Sequence, residues 1–168
     1  KEATATVEIT TDTATVEKVA ISPKTAVLTA GSATKTQQFT AEAQSADGTN
    51  VIGKTITFDI DADAKTAGSS IANGVLTIGD YDTLTKGQTA SITVTADCEG
   101  KTDTATVTVN APAQPDSIEI TAPTDTTITA IAGDATGITF TARILDQYGN
   151  EMTAEKSNIV WIMLGAQQ

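Results

Sequence analysis

An internal repeat of about 100 residues constrains this chain more than any other feature. Residues 36–42 read Thr-Gln-Gln-Phe-Thr-Ala-Glu, and residues 137–143 read Gly-Ile-Thr-Phe-Thr-Ala-Arg. Three landmarks recur in the same order: Phe39 and Phe140, Gly48 and Gly149, and Phe58 and Trp161. The first two pairs lie 101 positions apart and the third lies 103 apart. This period is too long for a solenoid repeat and fits one small β-sandwich domain per copy.

The repeat also predicts where the domains begin and end. Residues 104–109 alternate Thr with Ala or Val at the end of one copy, and residues 4–9 show a similar pattern. We predict four segments: residues 1–16, the last strand of an upstream domain plus a linker; 17–110, a complete domain; 111–116, a linker containing proline; and 117–168, the N-terminal half of a further domain. The complete copy runs for roughly fifty residues beyond Phe58, so we expect this sequence to be a piece of a longer protein.

Apolar and hydroxyl residues alternate along the chain, and this period of two is typical of strands with one buried face. Thr, Val and Ile are also strand formers. We predict seven strands in the complete domain, at residues 17–22, 26–28, 36–43, 55–61, 74–78, 90–97 and 102–109. With no helix among them, these strands predict two packed antiparallel sheets. Phe39 and Phe58 would anchor that core, and Phe140 and Trp161 the next.

The charge excludes several partners. The net charge is −11, the pI is about 4.2, and the chain has no histidine. Nucleic-acid binding needs clustered Lys and Arg, and an anionic membrane surface attracts the same residues. We therefore expect no nucleic-acid partner and, since no apolar stretch approaches 18 residues, no membrane insertion. The single cysteine, Cys98, cannot form an internal disulfide, and we interpret it as an incidental thiol at a hairpin tip.

One acidic segment is a candidate metal site. Asp59, Asp61 and Asp63 alternate, so on a strand their carboxylates would share one face, about 7 Å apart. Asp80 and Asp82 follow in a nearby loop. Clustered carboxylates repel one another unless a cation neutralises them, and Ca²⁺ prefers such oxygen ligands. Calcium here would stiffen a loop or a domain junction. The alternative is a solvated acidic edge that prevents strand-to-strand aggregation.

No other chemistry is indicated. Without histidine there is no Ser-His-Asp set, and no zinc spacing or phosphate-binding Gly loop occurs. Paired carboxylates can hydrolyse glycosides, but no aromatic-lined cleft is foreseen. We therefore expect no enzyme and no cofactor other than calcium. Sugar binding would need exposed aromatic rings, and only Tyr81 and Tyr148 are predicted to lie in loops.

Several motifs resemble bacterial immunoglobulin-like (Ig-like) domains of group 2. The residues Val-Ala-Ile-Ser-Pro-Lys at 19–24 and Leu-Thr-Ala-Gly at 28–31 resemble the family's opening. Residues 70–78 resemble its middle motif and residues 100–109 its closing strand, although Phe58 stands where the family usually has Trp. The turn at 146–150 is similar to one in invasin-type and surface-layer Ig-like repeats. The resemblance implies tandem Greek-key sandwiches of about seven strands per domain.

The family's proteins include bacterial adhesins, surface layers, secreted multidomain enzymes and some phage virion proteins, without a common ligand. The resemblance therefore favours a structural spacer, a stalk on the bacterial cell surface that presents an adhesive or enzymatic head. A self-assembling surface-layer or virion component is the alternative, and a carbohydrate-binding module is the third interpretation. The expected partners are neighbouring Ig-like domains of the same chain, together with lattice or host-surface contacts.

Overall fold

The structure, a computed structural model, describes residues 14–122 and 139–162. The chain divides into two compact units, Lys1–Pro112 (unit 1) and Ala113–Gln168 (unit 2). Apart from short helical turns, the described residues form strands and loops, as the all-β prediction requires. The predicted strand at residues 4–9 lies outside the described residues.

Unit 1 is an Ig-like β-sandwich. Its elements are β1 (Lys18–Ser22), β2 (Thr25–Thr29), β3 (Thr36–Gln38), β4 (Thr40–Gln44), β5 (Thr57–Ile60), α1 (Ala62–Thr66), β6 (Ser70–Ala72), β7 (Val75–Thr77), β8 (Thr89–Cys98) and β9 (Lys101–Asn110). One layer has the order β2-β9-β8-β5. The pair β1-β4 and the three-stranded sheet β3-β7-β6 form the other layer, since only Phe39 separates β3 from β4. The parallel pairing of β2 with β9 completes this immunoglobulin-like arrangement.

The hairpin of β8 and β9 shows most directly how the sequence sets the fold. Glu99 and Gly100 form its two-residue turn with φ of 53° and 79°, the left-handed values that such turns require. Alternate residues of both strands are buried at 2% exposure or less: Ile92, Val94, Ala96, Cys98, Ala105, Val107 and Val109. The Thr residues between them face outwards, so the predicted inner and outer faces are confirmed.

Phe39 is the central aromatic ring of the core, as predicted, but it interrupts its strand. Its side chain is 1% exposed, and its N–H donates to the Gly74 carbonyl at 2.7 Å. The predicted strand 36–43 is therefore two strands, β3 and β4. A Cβ on Gly74 would lie 2.3 Å from the Phe39 carbonyl oxygen, and Gly74 has φ of +76°. Only glycine fits this close approach without strain.

Three other predictions need correction. We expected no helix, yet α1 follows β5 directly, and residue 61 ends the predicted strand as the helix cap. Strand β6 was not foreseen; it pairs with β7 in a short hairpin. Cys98 does lie at the hairpin tip, where it pairs with Lys101 beside the turn, and its side chain is buried. Phe58 is only partly buried, packed against the edge of the core.

Unit 2 contains an antiparallel pair, β10 (Pro115–Ala122) and β11 (Thr141–Asp146), followed by a 3₁₀ helix, Thr153–Asn158. Pro115 and Asp116, which we assigned to the linker, already belong to β10. Trp161 is 52% exposed, so the expectation of a core aromatic is wrong for the described residues. Its ring lies 6.0 Å from that of Phe140, tilted by 50°.

Neither helix within 14–122 and 139–162 has the length and apolar character needed to cross a membrane.

Candidate functional site

The acidic segment predicted as a metal site is built around the start of α1. Asp61 is the N-cap residue: one carboxylate oxygen accepts from the Ala64 N–H at 2.8 Å. The other accepts from the Thr93 N–H of β8 at 2.6 Å. Asp59 accepts from the Ile60 N–H at 2.8 Å and forms an ion pair with Lys65 at 2.7 Å. Asp61 therefore links the start of α1 to β8, and Asp59 links β5 to Lys65 of α1.

These bonds keep both carboxylates ionised. The Lys65 ammonium, followed by the Ile60 N–H, lowers the pKa of Asp59. Burial by itself would raise the pKa of Asp61, but the N–H groups of Ala64 and Thr93 outweigh it and hold that pKa below its usual value. Negative charge at the N-cap is also favoured by the helix dipole.

The remaining acidic residues have separate surroundings. Asp63 lies in the first turn of α1. The Asp80 backbone N–H donates to the Ala67 carbonyl at 2.8 Å, and the Asp80 carboxylate accepts from the Asp82 N–H at 3.0 Å. Across the part of the chain that the structure describes, no group of three or more His, Cys, Asp or Glu side chains is placed to hold a metal ion.

Calcium binding stays a prediction, and it has a direct test. Thermal unfolding of the chain is measured in excess Ca²⁺ and in chelator. If Asp80 and Asp82 complete a site with the α1 carboxylates, Ca²⁺ raises the melting temperature and the double change Asp80→Asn, Asp82→Asn abolishes the rise. Equal melting temperatures in both conditions would refute the prediction.

The two predicted loop tyrosines differ. Tyr81 is buried at 9% exposure, and its hydroxyl lies 3.3 Å from that of Ser69, so its ring cannot stack on a sugar from solvent. Tyr148 is 44% exposed. It lies in a turn held by Asp146, whose carboxylate accepts from the backbone N–H groups of Tyr148 and Asn150 at 2.9 and 2.8 Å. Burial opposes ionisation of Asp146, but the Asn150 donors outweigh it and lower the pKa.

The ends of unit 1 lie at opposite poles of the sandwich. At the entry pole, the Lys101 ammonium is 3.4 Å from the Glu17 carboxylate, where β9 begins. At the exit pole, Asn110 ends β9 beside Thr29 and Thr89. Strand β9 has ten residues, which corresponds to about 30 Å between the poles. Glu17 and Asn110 therefore lie at opposite ends of the sandwich.

Residues 17–29 run alongside β9 for its whole length. The Ile21 N–H donates to the Asp103 carboxylate at 2.8 Å, and Lys24 forms an ion pair with the same group. Strand β2 then pairs with β9 in parallel, from Thr25 opposite Thr106 to Thr29 opposite Asn110. Residues 17–29 and strand β9 are thus held side by side by contacts along the whole length of the strand.

Unit 2 carries an exposed apolar face that sequence reasoning missed. Ile120, Phe140, Trp161 and Ile162 line an open groove of about 420 Å³. The exposed fractions of these side chains are 60%, 46%, 52% and 78%. The repeat gives only part of this face: Phe140 is equivalent to Phe39, which is buried, whereas Trp161 is equivalent to Phe58, which is only partly buried.

No protein-family model matches the chain, and no curated protein matches it either. Among solved structures, domains 4–9 of the surface-layer protein SbsC align with a TM-score of 0.43 and 16% identity, over 82% of this chain and 21% of that chain. The ectodomain of human desmocollin-1 aligns with a TM-score of 0.38 and 13% identity, over 82% and 36%.

FdeC, an adhesin of Escherichia coli, aligns with a TM-score of 0.37 and 20% identity, over 81% of this chain and 42% of that chain. This chain therefore spans less than half the length of each of the three structures. The similarities are distant, and the sandwich architecture follows from the strand order of unit 1 itself.

Proposed function

We propose that the chain is a non-catalytic spacer of a bacterial cell-surface or secreted multidomain protein, a stalk that holds an adhesive or enzymatic head away from the cell. The observation that carries this proposal is the placement of the chain ends of unit 1. Entry at Glu17 and exit at Asn110 lie at opposite poles, so each such domain adds its full length of about 30 Å. Ends at the same pole would add almost nothing.

The pairing of the end strands also suits a spacer under tension. Pulling at the two poles moves β2 and β9 along each other, because the strands are parallel and are held at opposite ends. All the hydrogen bonds between β2 and β9 then bear the force together, so they cannot break one after another. The Ile21 and Lys24 contacts with Asp103 resist the same displacement.

The surface of unit 1 supports the same role. Thr residues and carboxylates cover the outer faces of its strands, and the chain has a net charge of −11. A charged, hydroxyl-rich surface keeps neighbouring domains from associating. We place the chain outside the cell, with adjacent Ig-like domains of the same polypeptide as its regular partners.

Light scattering coupled to small-angle X-ray scattering tests this proposal on the full chain, with Ca²⁺ or chelator present. A spacer gives a monomer at every concentration, with a maximum dimension that exceeds that of a single sandwich. A self-assembling surface-layer or virion component instead gives ordered oligomers that grow with concentration, and that result would overturn the spacer. A change in the maximum dimension when chelator removes Ca²⁺ would indicate, in addition, a joint that calcium stiffens.

A further inference from the structure

The outward side of strands β2, β9 and β8 in unit 1 carries a regular set of side chains. Alternate residues of these strands pack in the core, so the residues between them point towards solvent. Nine such side chains come from the segments Thr25–Thr29, Ser91–Thr95 and Thr104–Thr108: seven Thr, one Ser and one Val. We call these nine side chains the hydroxyl face.

The strand register aligns the hydroxyl face in rows that cross the three strands. Thr106 lies opposite Thr93 on one side and Thr25 on the other, and all three are exposed. The next row along the strands consists of Ser91, Thr108 and Val27. Neighbouring strands lie about 4.8 Å apart, and alternate residues of one strand lie about 6.7 Å apart. The outward groups therefore form a two-dimensional lattice with two repeat distances.

The hydroxyl face has no charged side chain, although the chain has a net charge of −11. Other outward strand surfaces of the protein differ from it. Lys18 and Glu42 point outwards from β1 and β4, and Glu119 forms an ion pair with Arg143 across β10 and β11. Strand propensity explains why Thr is common in strands, but it does not explain this local lack of charge.

The side chains of the hydroxyl face are also stiff. Thr and Val branch at Cβ, which restricts their χ1 angles, so little side-chain entropy remains to be lost when a rigid partner binds. Each Thr presents a methyl group, whose removal from liquid water is favourable, and a hydroxyl group, which can bond to an ordered water molecule. A surface that is rigid, periodic and neutral is complementary to a partner with the same three properties.

We propose that the hydroxyl face of unit 1 binds ice. Water oxygens on the prism faces of hexagonal ice repeat at distances similar to the two spacings of this face. Ice excludes ions, so a surface without charge is complementary to it, whereas a charged macromolecule would find no opposite charge here. This binding is a function separate from that of a spacer, and neither function depends on the other.

The twist of the sheet limits how strongly the face can bind. Neighbouring strands are rotated by about 20–25° relative to each other, so only the side chains around Thr106 match one plane of ice at a time. We therefore expect the chain to slow the recrystallisation of ice, and we expect only a small depression of the freezing point.

Growth of ice grains in a frozen sucrose solution, followed by polarised-light microscopy, tests the proposal on the full chain. The grains should stay smaller than in an equal concentration of an unrelated albumin. The double variant Thr93→Lys, Thr106→Lys places two charges in the central row and should weaken this effect several-fold.

The matched control is the double variant Thr36→Lys, Thr77→Lys. These two residues are also exposed and lie directly opposite each other, but on β3 and β7 of the other layer. The control should inhibit grain growth as well as the original chain does. Thermal unfolding followed by circular dichroism shows whether each variant is folded.

A third variant keeps the test decisive if the first does not fold. Val27 is 64% exposed and has the shape of Thr without its hydroxyl, so Val27→Thr completes the row with Thr108 and Ser91. This variant should inhibit grain growth more strongly than the original chain, and an unchanged or weaker effect would count against the proposal.

Three results overturn the proposal outright. The first is an original chain that leaves ice recrystallisation unchanged. The second is an equal loss of inhibition in the two double Lys variants, since the effect would then not depend on the hydroxyl face. The third is a dimer of the original chain, detected by light scattering, that Thr93→Lys with Thr106→Lys dissociates, because a second copy would then be the occupant of this face.

Discussion

At the residue scale, single carboxylates join distant parts of unit 1 by accepting from backbone N–H groups. Asp61 connects α1 to β8, and Asp103 connects β9 to β1 and Lys24. In the turn after β4, the Ser45 hydroxyl and then the Thr49 N–H lower the pKa of Asp47 to about 2. Acidic residues in this chain therefore have definite structural roles as well as giving it a negative surface.

The double use of Asp61 makes its replacement costly. Asp61→Ala leaves the Ala64 and Thr93 N–H groups without their acceptor and should lower the free energy of unfolding by about 1–2 kcal/mol. Asp63→Ala is the matched control two residues away. Asp63 is exposed in the first turn of α1, and its change should cost under about 0.5 kcal/mol. Urea unfolding followed by circular dichroism measures both, and equal losses would contradict the assigned role.

Asp103 should make unit 1 sensitive to acid. Burial by itself would raise the pKa of Asp103, but Lys24 and the Ile21 and Thr104 N–H groups outweigh it and hold that pKa below its usual value. Because the pKa of Asp103 is lower in the folded state than in the unfolded state, its ionisation stabilises the fold at pH values above the unfolded-state pKa. This stabilisation is lost as the pH falls through the folded-state pKa of Asp103. It is therefore complete at about pH 6 and declines below about pH 4.

Asp103→Asn tests this dependence. The variant should be less stable than the original chain at about pH 6, and the difference should shrink towards about pH 3. Urea midpoints over this range measure it, with the exposed Asp63→Asn as control. A difference between original and variant that stays constant with pH would show that ionisation of Asp103 does not contribute.

At the element scale, local patterns and long-range contacts determine different parts of unit 1. The β8-β9 hairpin is readable from the sequence because its alternation is long and its turn residues favour positive φ. The break at Phe39 is not, since it depends on Gly74, which is 35 positions away and approaches Phe39 only in the folded sandwich. Helix α1 spans only five residues, too few for a helical period to stand out.

The acidic segment shows the same limit. A strand continuing through residue 63 would place three carboxylates on one face, as a cation site requires. The helix begins after Asp61 instead, which separates Asp63 from the other two. Asp61 as cap, Asp63 in the first turn and Lys65 in the last are helix signals present in the sequence.

A substitution at Gly74 tests the close contact between Gly74 and Phe39, which separates β3 from β4. Gly74→Ala forces a Cβ against the Phe39 carbonyl and should destabilise unit 1 by about 2–4 kcal/mol. Gly87→Ala is its control, because Gly87 also has positive φ, +81°, but has nothing within 4 Å of an added Cβ. The control should lose only about 1 kcal/mol, the cost of the backbone conformation. If the two variants lose the same free energy of unfolding, the structure accommodates the added Cβ beside Phe39 at little cost, contrary to this prediction.

At the scale of the whole molecule, the repeat predicted the all-β sandwich architecture that unit 1 shows, and a second domain of the same kind stays a prediction. It identified Phe39 as a core residue, and it placed Phe140 and Trp161 in equivalent positions. Equivalence in sequence did not bring equal burial. Trp161 is 52% exposed, whereas its sequence equivalent Phe58 is partly buried against the core of unit 1.

In the proposed spacer, unit 1 carries tension from one pole to the other through its parallel end strands, β2 and β9. Single-molecule extension of the full chain, pulled from both termini, tests this most directly. We predict one abrupt rupture that releases roughly 300 Å of chain, the extended length of residues 17–110 less the folded span. A replacement of Asp103 by Asn should lower the rupture force. Gradual lengthening without an abrupt rupture would contradict the claim.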